Sequence, residues 1–378
     1  MPLPPLVDPV PALTDTERAR TARHLALSGL GELGQRRLAA AHVAVIGAGG
    51  LGSPAILALV AAGVGTLTVI DDDDVEHTNL QRQVLHRLAD IGAAKVASAV
   101  RVAADLAPET VVHPVRERLT PGNAVSLLQR AHLVIDGSDT FETRAAVAAA
   151  CEELGIPLVW GVVQEFHAQV TVFWSAPPAG AAPVRLSDLY RPDEVGELPS
   201  CSAVGVLGAL CLQVGGLLAT EAVKLLTGIG EPLLGRVAVI DALAGTQREV
   251  PLRAAEGAAD AADAAADIPS DAAVVAPTAP AAPEEIPQVT ATEMLAAQEA
   301  GATLLDVREP FETATGIVGG SLVIPLADFL ADPGQIDEGP VVVICAHGIR
   351  ALRAAEVLRD RGVAASVLAG GLAAWTPA

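Results

Sequence analysis

Cys345-Ala346-His347-Gly348-Ile349-Arg350 forms a short loop that puts a thiol in front of a helix-forming run, Ala351 to Arg361. Backbone N–H groups and the dipole at a helix start favour an anion, so a sulfur there is expected to be held as thiolate or persulfide. A phosphatase also sets a cysteine and an arginine around such a loop. Here Cys345 and Arg350 enclose four residues, one fewer than the phosphate cradle, and the smaller ring suits sulfur; His347 and Gly348 complete this candidate persulfide loop. A second constellation lies far upstream. Gly47, Gly49 and Gly52, with Gly50 between them, fit G-x-G-x-x-G, a tight turn that exposes backbone N–H groups to phosphate at a helix start. Asp71 falls where a nicotinamide dehydrogenase would place its ribose acid. Yet Asn79, Arg82, Gln83, His86 and Lys95 follow, a run of amides and cations that suits a triphosphate. Only Lys95 and Lys224 are lysines among 24 basic residues, which sets Lys95 apart from surface filler. Asp139 comes just after a strand-like run and is a candidate Mg²⁺ ligand.

Taken together, G-A-G-G-L-G, D-x-D-x-V from Asp71, N-L-Q-R-Q from Asn79, G-x-x-K ending at Lys95, and S-D-x-x-x-x-R from Ser138 resemble the MoeB/ThiF family, adenylating enzymes related to ubiquitin activators. The resemblance spans roughly residues 16 to 250. It implies that Asp71 binds ribose, that Asn79, Arg82 and Lys95 bind phosphates, and that Asp139 holds the metal of MgATP. It also implies that Arg23 reaches the neighbouring subunit's ATP site, hence a homodimer. Cys201, in Pro199-Ser200-Cys201, is expected on a mobile crossover loop. The resemblance gives it the part of the adenylation-domain cysteine that attacks an acyl-adenylate or exchanges an acyl-disulfide. The implied partner is a ubiquitin-like sulfur-carrier protein ending in Gly-Gly. Several positions depart from the family: Thr21, Thr140, Glu165, His167 and Ala203 replace its usual residues. Its zinc-binding C-x-x-C pairs are missing, so no zinc is expected.

Asp306-Val307-Arg308-Glu309-Pro310-x-Glu312, Ile324-Pro325-Leu326 and Gly370-Gly371-Leu372-x-x-Trp375 join the Cys345 loop in resembling a single rhodanese domain. That implies sulfane sulfur carried on Cys345 and a persulfide donor such as a cysteine desulfurase or thiosulfate. Ala351 and Thr315 to Gly320 depart from the usual rhodanese pattern.

The elements that must position these residues follow from hydrophobic patterning. His42 to Ile46, Thr66 to Ile70, Val111 to Val115, Leu133 to Asp136, Leu158 to Gly161 and Gln169 to Trp174 read as strands with alanine-rich helices between them. Residues 1–253 are therefore expected to form a doubly wound, Rossmann-like α/β domain, which the MoeB/ThiF resemblance implies is an adenylation domain. Residues 254–287 hold fifteen alanines, seven acids, five prolines and no basic residue, the composition of a linker. Residues 288–378 read as a smaller α/β rhodanese-like domain with strands at Thr303 to Val307, Val341 to Cys345 and Ala365 to Leu368.

A formal net charge of −21 would repel a phosphate backbone, which argues against nucleic-acid partners. Two uncharged runs, Val43 to Ile70 and Leu198 to Thr220, are long enough to span a bilayer. Their glycines divide the first into strand, turn, helix and strand, the pattern of a buried α/β core rather than a membrane span. No basic n-region or apolar h-region opens the chain, so a cytoplasmic protein with reduced thiols is expected. Cys151 and Cys211, in apolar helical patterns, read as packing residues. The expected function is ATP-dependent adenylation of the carrier's carboxylate followed by sulfur transfer from Cys345, with molybdopterin-type carriers ahead of those for thiamine, cysteine or another sulfur metabolite. An NAD-dependent oxidoreductase and a non-catalytic sulfur-carrier scaffold are the alternatives.

Overall fold

In the computed structural model, residues 3–190, 205–253, 286–313, 316–346 and 348–372 are described. The chain divides into two compact units, Met1–Asp260 and Ala261–Ala378. The expected linker lies, except for Ile286 and Pro287, outside the described residues.

The first unit is built on an eight-stranded sheet. Its strands are β1 (His42–Ile46), β2 (Thr66–Ile70), β3 (Val111–Val115), β4 (Leu133–Asp136), β5 (Leu158–Gln164), β6 (His167–Phe173), β7 (Arg236–Asp241) and β8 (Thr246–Pro251). They stand in the order 3-2-1-4-5-6-7-8, with β1 to β5 parallel and β6 to β8 antiparallel. Central strands covered on both faces must be apolar throughout, and β1, β2 and β4 are buried along almost their whole length. β3 is an edge strand, which is why it tolerates Pro114. The chain leaves β1 toward β2 and later returns to its other side as β4. That reversal opens a crevice at the carboxyl ends of β1 and β4, the place where doubly wound sheets bind ligands.

The run Val43 to Ile70 resolves into β1, the glycine turn, the helix Gly52–Ala62 and β2, as its pattern implied. Among the described residues, one helix, Gly208–Thr227, is long and apolar enough to cross a membrane. It packs instead against β5 and the helix Gly52–Ala62. Glu221 within it is fully buried, and its carboxylate accepts from Lys224 Nζ at 2.6 Å and from the Leu233 N–H at 2.8 Å. A buried carboxylate persists only with such partners.

The second unit carries a five-stranded parallel sheet of β9 (Gln288–Val289), β10 (Thr303–Asp306), β11 (Leu322–Val323), β12 (Val341–Ile344) and β13 (Ala365–Leu368). Their order is 11-10-12-13-9. Here too the order reverses between two central strands, β10 and β12. Asp306 is in register with Ile344, so the residues after both strand ends emerge side by side. The helix expected at Ala351 to Arg361 runs from Ile349 to Asp360.

Candidate functional site

The glycine turn is fixed by close backbone approaches. Gly47 has φ +82° and its N–H donates to the Ile70 carbonyl at 2.8 Å, while a Cβ on Gly52 would overlap the Gly47 carbonyl. The turn is tied to its surroundings through Ala48. Its N–H donates to Asp71 Oδ2 at 2.7 Å, and its carbonyl accepts from Ser53 Oγ at 2.9 Å. His86 Nε2 lies 3.0 Å from the same carbonyl, and His86 Nδ1 lies 2.9 Å from Ser98 Oγ. Burial holds His86 below the usual histidine range. Burial likewise pushes the Asp71 carboxyl up, against the opposing pull of Lys95 and of the Ala48 and Asp73 N–H groups.

A cleft of about 190 Å³ opens above this turn. It brings together Gly47, Gly49, Gly50, Asp71, Arg82, Gln83, Lys95 and Asp139 from the sequence-derived set. Lys95 begins the helix Lys95–Leu106 with a side chain only 7% exposed, and its Nζ lies 2.7 Å from Asp73 Oδ2. Arg82 donates to the Thr78 carbonyl and meets no carboxylate within ion-pair distance among the described residues. Two buried polar atoms on the cleft wall, Gln83 Oε1 and Ser138 Oγ, have no hydrogen-bond partner among the described residues. Glycine N–H groups, cations such as Arg82 and Lys95, and unpaired polar atoms fit a nucleoside triphosphate.

Gly52 and Asn79 stand behind the cleft. Asn79 is buried; its Oδ1 accepts from the Glu76 N–H, and its carbonyl accepts from the N–H groups of Arg82 and Gln83. It shapes the turn that presents those two residues. Arg23 is exposed on the short helix Ala22–Leu25 and does not line the cleft. Cys201 and His347 lie outside the described residues.

The cleft also contains Arg118, Arg144 and Cys211. Arg144 belongs to the Ser138-to-Arg144 motif and could have been found there; it donates to the Ser138 carbonyl at 3.0 Å. Cys211 is buried as its apolar pattern implies, yet its Sγ would lie 3.1 Å from a Cβ on Gly50. Arg118 follows the edge strand β3 in an exposed stretch that carries no periodic signal.

A second pocket of about 130 Å³ shares Asp139, Arg144 and Val163 with this cleft. Gln164, His167, Gln169 and Tyr190 complete much of its wall. Glu165 sits in the β5–β6 turn at φ +51°. Its N–H donates to the Gly205 carbonyl and its carbonyl accepts from the Leu207 N–H, so the departing residue anchors the chain entering the helix Gly208–Thr227.

In the second unit, Cys345 follows β12 and is 1% exposed. The Gly348 N–H donates to its Sγ at 3.1 Å, and the Leu372 N–H donates to its carbonyl at 2.9 Å. Gly371 presses on the loop backbone, where a Cβ would come within 2.5 Å of the Ala346 carbonyl. That explains Gly370-Gly371-Leu372: it clamps the thiol loop from the far side. Arg350 forms a bidentate pair with Glu312, both contacts at 2.6 Å, which holds the Glu312 carboxyl below the usual carboxylate range. Arg308 is bound to the fully buried Asp306, with Nη2 2.7 Å from Oδ2.

A nucleotide cleft at one switch point and a clamped thiol loop at another define a class of protein, an adenylating domain joined to a sulfur-carrying one. The chain belongs to the ThiF family, whose model matches residues 21–260, and a rhodanese-like domain model matches residues 290–378. It is 40% identical over 380 residues to the probable adenylyltransferase/sulfurtransferase MoeZ of Mycobacterium tuberculosis, covering 99% of this chain and 96% of that protein. It is 42% identical over 241 residues to the sulfur carrier protein adenylyltransferase of Thermus thermophilus, covering 64% of this chain and 89% of that protein. In fold it resembles Escherichia coli MccB bound to ATP, with a TM-score of 0.51 and 19% identity over 63% of this chain and 72% of that one.

Proposed function

We propose that this protein uses ATP to adenylate the C-terminal Gly-Gly carboxylate of a small ubiquitin-like sulfur carrier and then converts it to a thiocarboxylate with sulfur held on Cys345. The observation that carries this reading is the shared wall of Asp139, Arg144 and Val163 between the nucleotide cleft and the neighbouring pocket. An extended tail entering there would bring its carboxylate to the triphosphate. Attack on the α-phosphorus gives an acyl-adenylate and releases pyrophosphate. Arg82, Lys95 and the glycine-turn N–H groups stabilise the phosphate charge, and alignment supplies much of the rest. Asp139 would hold Mg²⁺, which neutralises phosphate charge when bound.

The Cys345 persulfide then attacks the acyl carbon, displaces AMP and leaves an acyl-disulfide. Cys201 attacks that disulfide and releases the thiocarboxylate; the Cys201–Cys345 disulfide left behind requires an external thiol reductant. Residues 1–253 perform the first reaction and residues 288–378 the second, joined through 254–287, and tethering raises the local concentration of the sulfur donor. The working unit is a cytoplasmic homodimer in which Arg23 reaches its neighbour's ATP site, and no zinc takes part. Molybdopterin-type carriers are the leading substrates.

Intact mass spectrometry of Gly-Gly-ended carriers incubated with the protein, MgATP and a persulfide donor tests this. Exchange of one terminal oxygen for sulfur is expected, and it is expected to vanish with Cys345→Ala. Carrier adenylate without sulfur would retain the first reaction and remove the second.

A further inference from the structure

The thiol loop has an electrostatic peculiarity. Its arginine is held by a carboxylate at both terminal nitrogens, with Arg350 Nη1 and Nη2 each 2.6 Å from a Glu312 oxygen. The pair is sheltered, with side-chain exposures of 17% and 19%. Glu312 is itself positioned: its Oε2 also accepts from the Glu309 N–H at 2.9 Å, at the start of the short helix Pro310–Thr313. The other guanidinium beside this strand end, Arg308, is neutralised by the fully buried Asp306. Among the described residues, the two guanidinium groups beside this strand end, Arg308 and Arg350, are therefore already paired. The donor to the sulfur among the described residues is the uncharged Gly348 N–H.

We propose that Glu312 sets the choice of sulfur donor: by holding Arg350 in a bidentate pair it withholds that cation from an incoming oxyanion, so that Cys345 takes sulfur from an organic persulfide and discriminates against thiosulfate. This rests on the sulfurtransferase reading above. The two loading reactions differ in what leaves. With an organic persulfide, R–S–SH, the Cys345 thiolate attacks the outer sulfur, the S–S bond breaks, and R–S⁻ departs with the bonding pair. With thiosulfate the same attack expels sulfite as a dianion. Docking and expulsion of that dianion are favoured by a free guanidinium, the planar fork that matches oxyanions, and the structure shows Arg350 occupied. A persulfide on a thiol carries no such demand.

The test uses the full chain with cysteine persulfide or thiosulfate as the probe donor. Persulfide on Cys345 is read by intact mass, and thiosulfate turnover by thiocyanate formation from cyanide. The parent is expected to load at least about tenfold more efficiently from cysteine persulfide than from thiosulfate. In Glu312→Gln the KM for thiosulfate is expected to fall about tenfold, with a smaller change in kcat, because one charge-assisted contact becomes available. Added sulfate should compete with thiosulfate in the variant and not in the parent. Glu312→Asp, which restores the carboxylate, should return the parent's preference. Equal loading of the parent by the two donors overturns the proposal whatever the variants do, and so does a variant in which both donors change in proportion. If the parent accepts sulfur from neither donor, the sulfurtransferase reading itself falls and takes this inference with it, which separates the two failures.

Discussion

Replacing Lys95 with glutamine separates its role in the cleft from its role in the fold. The lysine side chain is 7% exposed, whereas its partner Asp73 is 60% exposed. Losing an ion pair with one member that open to water costs roughly 1 kcal/mol or less, and the glutamine amide can still donate to Asp73. Stability should therefore change little. A charge-assisted hydrogen bond to phosphate is worth about 1.5 to 3 kcal/mol, so ATP affinity should fall about ten- to a hundredfold. Calorimetric titration with ATP and thermal unfolding of the same samples measure the two quantities, and carrier-dependent ATP–pyrophosphate exchange reports the consequence. Asp73→Asn supplies the opposite perturbation: it frees Lys95 without removing it and should preserve or raise ATP affinity. A Lys95→Gln protein that loses several kcal/mol of stability while binding ATP as tightly as its parent would refute the reasoning and make Lys95 a structural residue.

Gly52→Ala forces its new Cβ against the Gly47 carbonyl. It should destabilise the first unit by about 1 to 3 kcal/mol and abolish tight ATP binding, seen in denaturant unfolding and titration. Glu221→Ala strips the Leu233 N–H and Lys224 of their shared buried acceptor and should cost about 3 kcal/mol in urea unfolding. His42, His86 and His132 are all held below their ordinary value of 6.5, chiefly by burial. The folded state thus favours their neutral forms, so the stability they contribute is present above pH 6.5 and is lost as pH falls toward their lowered values. Each adds a slope of up to about 1.4 kcal/mol per pH unit in that window. Unfolding free energies measured from pH 7.5 to 5.5 should decline, and less steeply in His42→Gln.

The parallel core was legible because burial on both faces leaves an unmistakable apolar run. β1, β2 and β4 begin and end where their patterns place them, and so does the edge strand β3 although it is largely exposed. β7 repeats the Val-Ala-Val-Ile run of β1 and so was open to the same reading, whereas β8 carried no such signal. β8 is exposed along nearly its whole length, and its sequence, Thr246 to Pro251, owes its strand to backbone pairing with β7 rather than to burial. Two-residue strands such as β9 and β11 are too short for any period to show. The site divides in the same way. Glycines and charged residues set in a motif announce themselves, whereas Arg118 enters the cleft only because β3 lies beside β2 in the sheet. Asn79 adds a use that its motif does not announce: its side-chain oxygen and its carbonyl organise the backbone that carries Arg82 and Gln83.

The same residue type serves two chemistries here because its neighbours differ. In the nucleotide cleft, Arg82 contacts a carbonyl and no carboxylate among the described residues, which leaves its positive charge available to phosphate. In the thiol loop, Arg350 meets a carboxylate at both nitrogens, so its charge is cancelled and its geometry fixed. The first arrangement favours ligands that arrive with negative charge, and the second favours a nucleophilic sulfur that is not weakened by a cation beside it. A persulfide that must attack an acyl carbon gains from that arrangement, because an uncompensated guanidinium would stabilise the anionic sulfur and lower its nucleophilicity. Both sites occupy the carboxyl ends of central parallel strands at a reversal of strand order, so the fold supplies the position, and one glutamate distinguishes an anion receptor from a sulfur donor.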